Sequence, residues 1–384
     1  MTCGATRPAG GRRWLVVLLP VFAACLLAAC ALLLAELVGA RVGARGLLVG
    51  AIAAVVPVVP MVAAFLWVDR WEPEPPRLIL AAFAWGACIA ALTALVVNDT
   101  AASAAGSLLG AGGGDAVATL VSAPLVEEAV KAAFVLGVWR LLRSEFDGVI
   151  DGIVYAGITA TGFAFTENID YFGLAFAHGG LDGFGGGVVA AFVLRGVFTP
   201  FLHPMFSMMT GIGIGIAART RTRWMRVGAP LGGYLAAVSL HALWNASTML
   251  SQGRGLLSFY FLVIVPILAA MVLFVGWQRK REQAVIASQL PAMVRNGWIA
   301  PSEVELLSSL RGRREWRRQV RTYSGGPAAS AVRRYQAAVT ELAFLAERVS
   351  RDSAEPPTDV RREELITDLR VARAEAVHAT PRAG

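Results

Sequence analysis

Glu127-Glu128-Ala129-Val130-Lys131 stands inside an otherwise apolar stretch of the chain. On a helix Lys131 is i,i+4 from Glu127 and i,i+3 from Glu128, so it can meet either carboxylate. Pairing lowers the cost of burying one of them. The other is left needing a proton, a metal or a water, and a buried carboxylate in that condition can serve as a general base. The competing reading is an ion-pair network that only ties helices together. One other lysine occurs, Lys280, among 35 basic residues.

Three further clusters carry groups that are costly inside a membrane. Phe163-Ala164-Phe165-Thr166-Glu167-Asn168 offers a carboxylate beside an amide that can donate or accept. His203-Pro204 sets an imidazole next to a residue that lacks an N–H and clashes with the carbonyl four residues back, which predicts a kink there. His241-Ala242-Leu243-Trp244-Asn245 places an imidazole and an amide one turn apart on one helix face. Taken singly, each fits a packed polar group or a helix-end carboxylate. Two carboxylate sites and two histidines on four consecutive apolar segments point to a functional centre, because intramembrane ionisable groups face a bundle interior or a water-filled cavity.

The elements that must position these residues follow from composition. Of 384 residues, 56% are hydrophobic and only 16% charged, against a soluble norm of roughly 25% charged. A block of ~20 apolar residues spans the ~30 Å hydrocarbon core as a helix. Eight blocks of that kind are expected, at about 14–40, 46–68, 78–98, 117–141, 149–172, 187–218, 229–250 and 256–277. The fold class is therefore all-α: a polytopic transmembrane bundle of about eight spans with a small helical appendage. The first block follows Arg7, Arg12 and Arg13 like a signal peptide, but it exceeds the usual 7–15-residue apolar core and reads as a retained span.

Arginine placement orients the bundle. Basic residues crowd the N-terminus, the 69–77 loop, the 140–143 loop, the 219–226 loop and the stretch after 278, whereas the alternate loops hold only Arg254 beyond Arg41 and Arg45. Both termini are expected in the cytoplasm of a multi-pass cell-membrane protein. At 1.5 Å per residue Glu127 lies ~15 Å from the outer end of its span. His203 and His241 are similarly central, and Glu167 is nearer the outside, so a site built from them opens outward. The net charge of +8 comes without any nucleic-acid fingerprint. The four cysteines form no C-x-x-C pair and indicate neither a disulfide framework nor a thiolate zinc site.

From Arg279 onward the composition turns to Arg, Glu and Ala. Two parts are expected, a membrane unit over 1–278 and a cytoplasmic tail over 279–384. In the tail Ser302-Glu303-Val304-Glu305 reads as a capping box. Breaks at Gly325-Gly326-Pro327 and Glu355-Pro356-Pro357 set off helices at about 328–350 and 358–376. No internal repeat is evident.

The motif set resembles the PrsW family of membrane-embedded proteases: E-E-x-x-K at 127–131, F-x-x-x-E-N at 163–168, His203-Pro204 and H-x-x-W-N at 241–245, with the Glu72-Pro73-Glu74-Pro75 loop also similar. The resemblance covers about residues 60–277 and leaves out the first span and the tail. It implies an intramembrane endopeptidase acting on a membrane-anchored protein, with anti-sigma factors the best-known substrate type. On that reading Glu127 or Glu128 is the general base and Lys131 holds the spare carboxylate. Glu167, His203 and His241 are candidate ligands of a zinc ion with one open position for water. Asn245 stabilises the oxyanion or orients His241. A metal-free Glu/His mechanism stays open. Two alternatives are a proton-coupled transporter or scaffold, which would use the same residues as a relay, and a CAAX-type prenyl endopeptidase, in which His would stand where Glu167 does.

Overall fold

The computed structural model describes residues 10–143, 145–183, 186–250, 255–350 and 358–379; the break expected at 355–357, like Arg7 and Arg254, lies outside them. No strand occurs among the described residues. The helices are α1 (Gly10–Val68), α2 (Pro76–Leu109), α3 (111–141), α4 (Val149–Gly179), α5 (Val188–Arg219), α6 (Arg223–Leu250), α7 (Leu256–Arg295), α8 (Leu310–Ser350) and α9 (Thr358–Ala379).

Six helices among the described residues are long and apolar enough to cross a membrane. Two features reconcile six with the eight expected spans. Helix α1 is broken at Gly43, whose φ of 74° suits only a residue without Cβ. Its two halves run back along the same neighbours. Leu34 packs with Phe163 and Arg41 reaches Asp170, whereas Gly46 abuts Gly173, Gly50 abuts Ile169 and Phe65 meets Gly157. The other expected span, 117–141, falls in α3, which carries Glu127, Glu128, Lys131 and Arg140 and is not among the six.

Helix α4 is the hub. Its glycines let neighbouring backbones approach, as in other membrane bundles. A Cβ on Gly152 would sit 2.1 Å from the Gly211 carbonyl oxygen, and one on Gly162 would sit 2.1 Å from the Phe83 oxygen. In the other direction, a Cβ on Gly86 would lie 1.8 Å from the Thr159 oxygen. Gly213 and Gly233 bring α5 against α6 in the same way. Helix α4 thus fixes α2 and α5, and α5 fixes α6.

Helix α5 is not kinked at Pro204. It is interrupted at 199–201, and a new helix begins at Leu202. Pro204 has no N–H to give the carbonyl of residue 200, so it falls in the first turn of that second helix, where none is needed. The break puts His203 at a helix start.

The tail has its own core, built from Ile286, Leu290, Trp316, Val332, Tyr335, Leu342 and Leu369 among others, and among the described residues only Trp71 joins it from the membrane part. The Arg313 guanidinium lies 4.9 Å from the Trp71 ring. Its Nε donates to the Leu307 carbonyl at 2.9 Å, and Nη1 donates to Thr340 Oγ1 at 2.6 Å. Gly325, with φ 85°, breaks α8 where the Gly-Gly-Pro motif predicted. The expected capping box is displaced: a short helical stretch over 301–307 opens after Ala300, whose N–H donates to Glu303 at 2.7 Å, so Glu303 and not Glu305 is the capping acid. Arg348 pairs with Asp147 across the junction.

The 69–75 loop is folded tightly at that junction. Asp69 Oδ2 accepts the Glu74 N–H at 2.8 Å, and the Tyr155 hydroxyl donates to Glu74 Oε2 at 2.6 Å. Burial pushes the Asp69 carboxyl up to about 8 and that of Glu74 up to about 10. A carboxyl raised in the folded state stays protonated while the unfolded chain ionises. Stability is therefore highest below the ordinary carboxylate range and declines as pH rises from there through about 8. Asp69→Asn keeps the acceptor oxygen and should flatten that decline, raising the melting temperature at pH 8 relative to the parent chain while leaving it unchanged at pH 4. An identical pH profile in both chains would contradict the assignment.

Gly152→Val should cost about 1–3 kcal/mol by prising α4 from α5. Gly137→Ala, with nothing within 4 Å of the added carbon, should be neutral or slightly stabilising. Thermal unfolding in detergent separates the two.

Candidate active site

Helices α2 to α6 bring the four clusters to one place. Lys131 Nζ contacts Glu128 Oε1 at 2.6 Å and is 3.9 Å from Glu127 Oε2. Glu128 is completed by the Ser207 hydroxyl, which donates to Oε2 at 2.6 Å, and by His241 Nδ1, 3.2 Å from Oε1. Its side chain is wholly buried. The ammonium also stands 4.3 Å from the centre of the Phe163 ring, which contributes a cation–π contact. Of the two adjacent glutamates, Glu128 is therefore the one that Lys131 neutralises.

Glu127 is held loosely. Asn98 Nδ2 approaches its Oε1 at 3.4 Å, and Ser122 Oγ in turn donates to Asn98 Oδ1 at 2.7 Å. Its buried Oε2 has no hydrogen-bond partner among the described residues. Donor atoms of Glu127, His203 and His241 lie within 4.8 Å of one another. The structure brings Glu127 to the two histidines in this set. Glu167 it gives to a different task, accepting from Arg195 Nη2 and contacting His203 Nε2 at 2.8 Å.

The second nitrogen of each histidine is thus engaged by a carboxylate: His203 Nε2 by Glu167, and His241 Nδ1 by Glu128. This leaves His203 Nδ1, which Lys131 Nζ approaches at 3.4 Å, and His241 Nε2, 3.9 Å from Glu127 Oε2. A carboxylate on the far nitrogen is the arrangement that fixes tautomer and ring orientation for metal-binding histidines. A Glu and two His are an ordinary donor set for a hydrolytic zinc. Glu127, Glu128 and Glu167 bring three negative charges and Lys131 and Arg195 two positive ones, so the cluster has room for a further cation or proton. On donor chemistry, the free oxygen and charge, these residues fit a metal ion.

Among the described residues the Asn245 side chain makes no hydrogen bond to the His241 ring. Its Nδ2 donates to the Thr119 carbonyl at 2.9 Å, and the orientation of His241 comes from Glu128. Asn245 lines the same cavity of about 530 Å³ as Glu127, Glu167, His203 and His241. Arg195, absent from the sequence-derived candidates, is a central member. Its Nε donates to Asn168 Oδ1 at 2.8 Å, and its guanidinium lies 3.8 Å from the Tyr171 ring centre. A lone arginine within an apolar block, eight residues before His203, was the available signal. Ser207, one turn after His203, offered none, since serine is common in helix packing.

Local irregularities tune these positions. Three π-helical turns border the site, as such turns do at many functional sites. That of 85–90 carries Trp85, whose Nε1 donates to the Val130 carbonyl at 2.9 Å. That of 118–122 holds Thr119 and Ser122, and that of 193–198 holds Arg195.

Sequence comparison bears on these residues directly. The family model for PrsW family intramembrane metalloprotease matches residues 74–271. Proteins described as Protease PrsW are similar to this chain: one from Geobacillus kaustophilus is 30% identical over 43% of the chain and 65% of its own length. One from Oceanobacillus iheyensis is 30% identical over 36% of the chain and 55% of its own length. One from Bacillus subtilis is 25% identical over 45% of the chain and 72% of its own length. The chain thus spans just under two thirds of the Geobacillus protein that it matches. No solved structure matches it significantly. With a match that takes in every residue of the Glu/His/Lys cluster and just over half of its length, the chain belongs to the PrsW family.

Proposed function

We propose that this protein is an intramembrane endopeptidase that hydrolyses a peptide bond of a membrane-anchored protein, anti-sigma factors being the substrate type. The observation that carries this reading is the Glu127 oxygen left without a hydrogen-bond partner between two carboxylate-held imidazoles in one cavity.

His203 and His241 would hold the metal, zinc by donor chemistry, with Glu127 beside them as the base. When bound it supplies Lewis acidity and a more acidic water. The chain's own groups do the rest. Glu127 takes the proton of the attacking water and returns it to the leaving amine. Glu128, saturated by Lys131, Ser207 and His241, keeps the His241 ring in one orientation. Glu167, held by Arg195, does the same for His203. Asn245 has one amide hydrogen beyond that given to Thr119 and offers it to the developing oxyanion. A relay for proton-coupled transport is less well supported, since a relay needs mobile partners and Glu128 is wholly enclosed by three.

Both termini lie in the cytoplasm on this reading, and residues 279–384 form a helical cytoplasmic unit distinct from the catalytic one. The cavity then opens at the end marked by Asp99, Asp170 and Tyr171, toward the outer half of the bilayer.

Glu127→Gln should lower cleavage of a reconstituted single-span substrate by about 10²–10⁴-fold with an unchanged melting temperature. Activity within a factor of a few of the parent would remove Glu127 from the chemistry. His203→Ala and His241→Ala should each lower bound metal and activity together, as read by elemental analysis of the purified protein. Full activity in metal-free protein would remove the ion and leave Glu127 acting on water alone.

A reporter active only in the cytoplasm should give signal when fused after Trp277 and none when fused after Met249. The reverse pattern would turn the cavity mouth to the cytoplasm.

A further inference from the structure

The first half of α1 lies beyond the family match, which begins at residue 74, and yet it closes the candidate active site. Leu34 and Val38 line the cavity together with Glu127, Glu167 and His203. Between residues 21 and 42 only Leu34, Val38 and Val42 are buried, a single i,i+4,i+8 stripe, and the other faces are exposed or half-exposed. Leu34 rests against Ala90, Ala91, Ala94 and Phe163. Seven residues on, ~10.5 Å along the helix, Arg41 pairs with Asp99 of α2 and stands 3.9 Å from Asp170 of α4. Immediately beyond is Gly43, with φ 74° and nothing within 4 Å of its missing Cβ. One apolar stripe, one ion-pair latch and a glycine hinge hold this segment to the bundle.

What lies beneath it has the properties of a helix-docking surface. Ala91 and Ala94 are small, so another helix can come close. Two carboxylates mark one end, complementary to a cation. A peptide bond in a membrane helix approaching Glu127 from the lipid on this side meets the first span, and three buried residues hold that span between residues 21 and 42.

We infer that the face formed by Ala91, Ala94 and Phe163, with Asp99 and Asp170 at its end, is the docking surface for the substrate's membrane helix, and that the first span, hinged at Gly43, covers it between turnovers. The inference rests on the protease reading above. It names the substrate's chemistry: an apolar single-span helix with a basic residue at the end of the span that reaches Asp99 and Asp170, in the place Arg41 holds at rest. The first span is an intramolecular stand-in for that helix.

Spin labels on Leu32 and Leu125, in a chain whose four native cysteines are replaced by serine, report the position of the first span without requiring activity. Leu32 is 11 residues from the hinge, a lever of ~16 Å. Two arms are measured in reconstituted protein. Arg41→Ala should produce a longer-distance population absent from the latched chain. In a Glu127→Gln chain with Arg41 intact, adding a synthetic Leu/Ala helix of ~20 residues with Arg at its outer end should produce the same population. The same peptide with Glu in that place should need about tenfold more. A Leu125–Leu243 pair, both on the bundle, verifies folding, and the peptide arm stands if Arg41→Ala does not fold. Distances unmoved by saturating peptide, or moved equally by the Arg and Glu peptides, would overturn the inference. If the distance responds as expected but the parent chain cleaves no membrane-anchored substrate, the protease reading fails and the docking surface stands.

Discussion

The contact between Lys131 and Glu128 governs the centre of this protein. A carboxylate deep in a helical bundle is tolerable only when its charge is met and its lone pairs are satisfied. Lys131 at 2.6 Å, the Ser207 hydroxyl at 2.6 Å and His241 at 3.2 Å meet every demand of Glu128. These partners come from three helices, so the pair also sets how α3, α5 and α6 stand relative to one another. Because the single buried lysine is used there, Glu127 one residue earlier is left with an open oxygen. The open oxygen of Glu127 and the saturated carboxylate of Glu128 are two consequences of one stoichiometry: two acids and one base on adjacent turns.

A second ion pair repeats this logic half a site away. Arg195 compensates Glu167, and Glu167 in turn holds His203. Each imidazole is thereby backed by a carboxylate that is backed by a cation. Such chains of charge-assisted contacts strengthen one another in a low-dielectric interior and keep ring orientations fixed without a bound ion. The helices that carry them can approach this closely because glycines line their crossings. Gly152 against Gly211 and Gly213 against Ala229 set the separation of α4, α5 and α6, and so the distance between His203 and His241.

Around this rigid centre the structure places two attachments of different character. The helical tail has a core of its own and reaches the membrane part through Trp71, Arg313 and the Arg348–Asp147 pair. The first span has no comparable core and is held by a stripe of three buried residues and Arg41. Differences in buried apolar contact translate into differences in the free energy of local opening. The same accounting that makes α4 immovable makes the first span displaceable.

Much of this was legible in the sequence because it depends on periodicity and cost. Apolar blocks of about 20 residues announced the crossing helices, and Glu127, Glu128, Glu167, His203, His241 and Asn245 stood out because ionisable and amide groups are expensive there. The i,i+3 and i,i+4 relations of Lys131 are local and could be read directly, although which glutamate it would take could not. That depended on Ser207 and His241 arriving from other helices. The pairing of Glu167 with Arg195, and the place of Glu127 between the histidines, required the tertiary structure for the same reason: spacing along one helix says nothing about the azimuth at which another presents its face. The exact places of the break before Leu202 and of the bend at Gly43 also came only with the tertiary structure. A proline or glycine signals that a helix can bend, whereas the neighbours it must accommodate decide where it does.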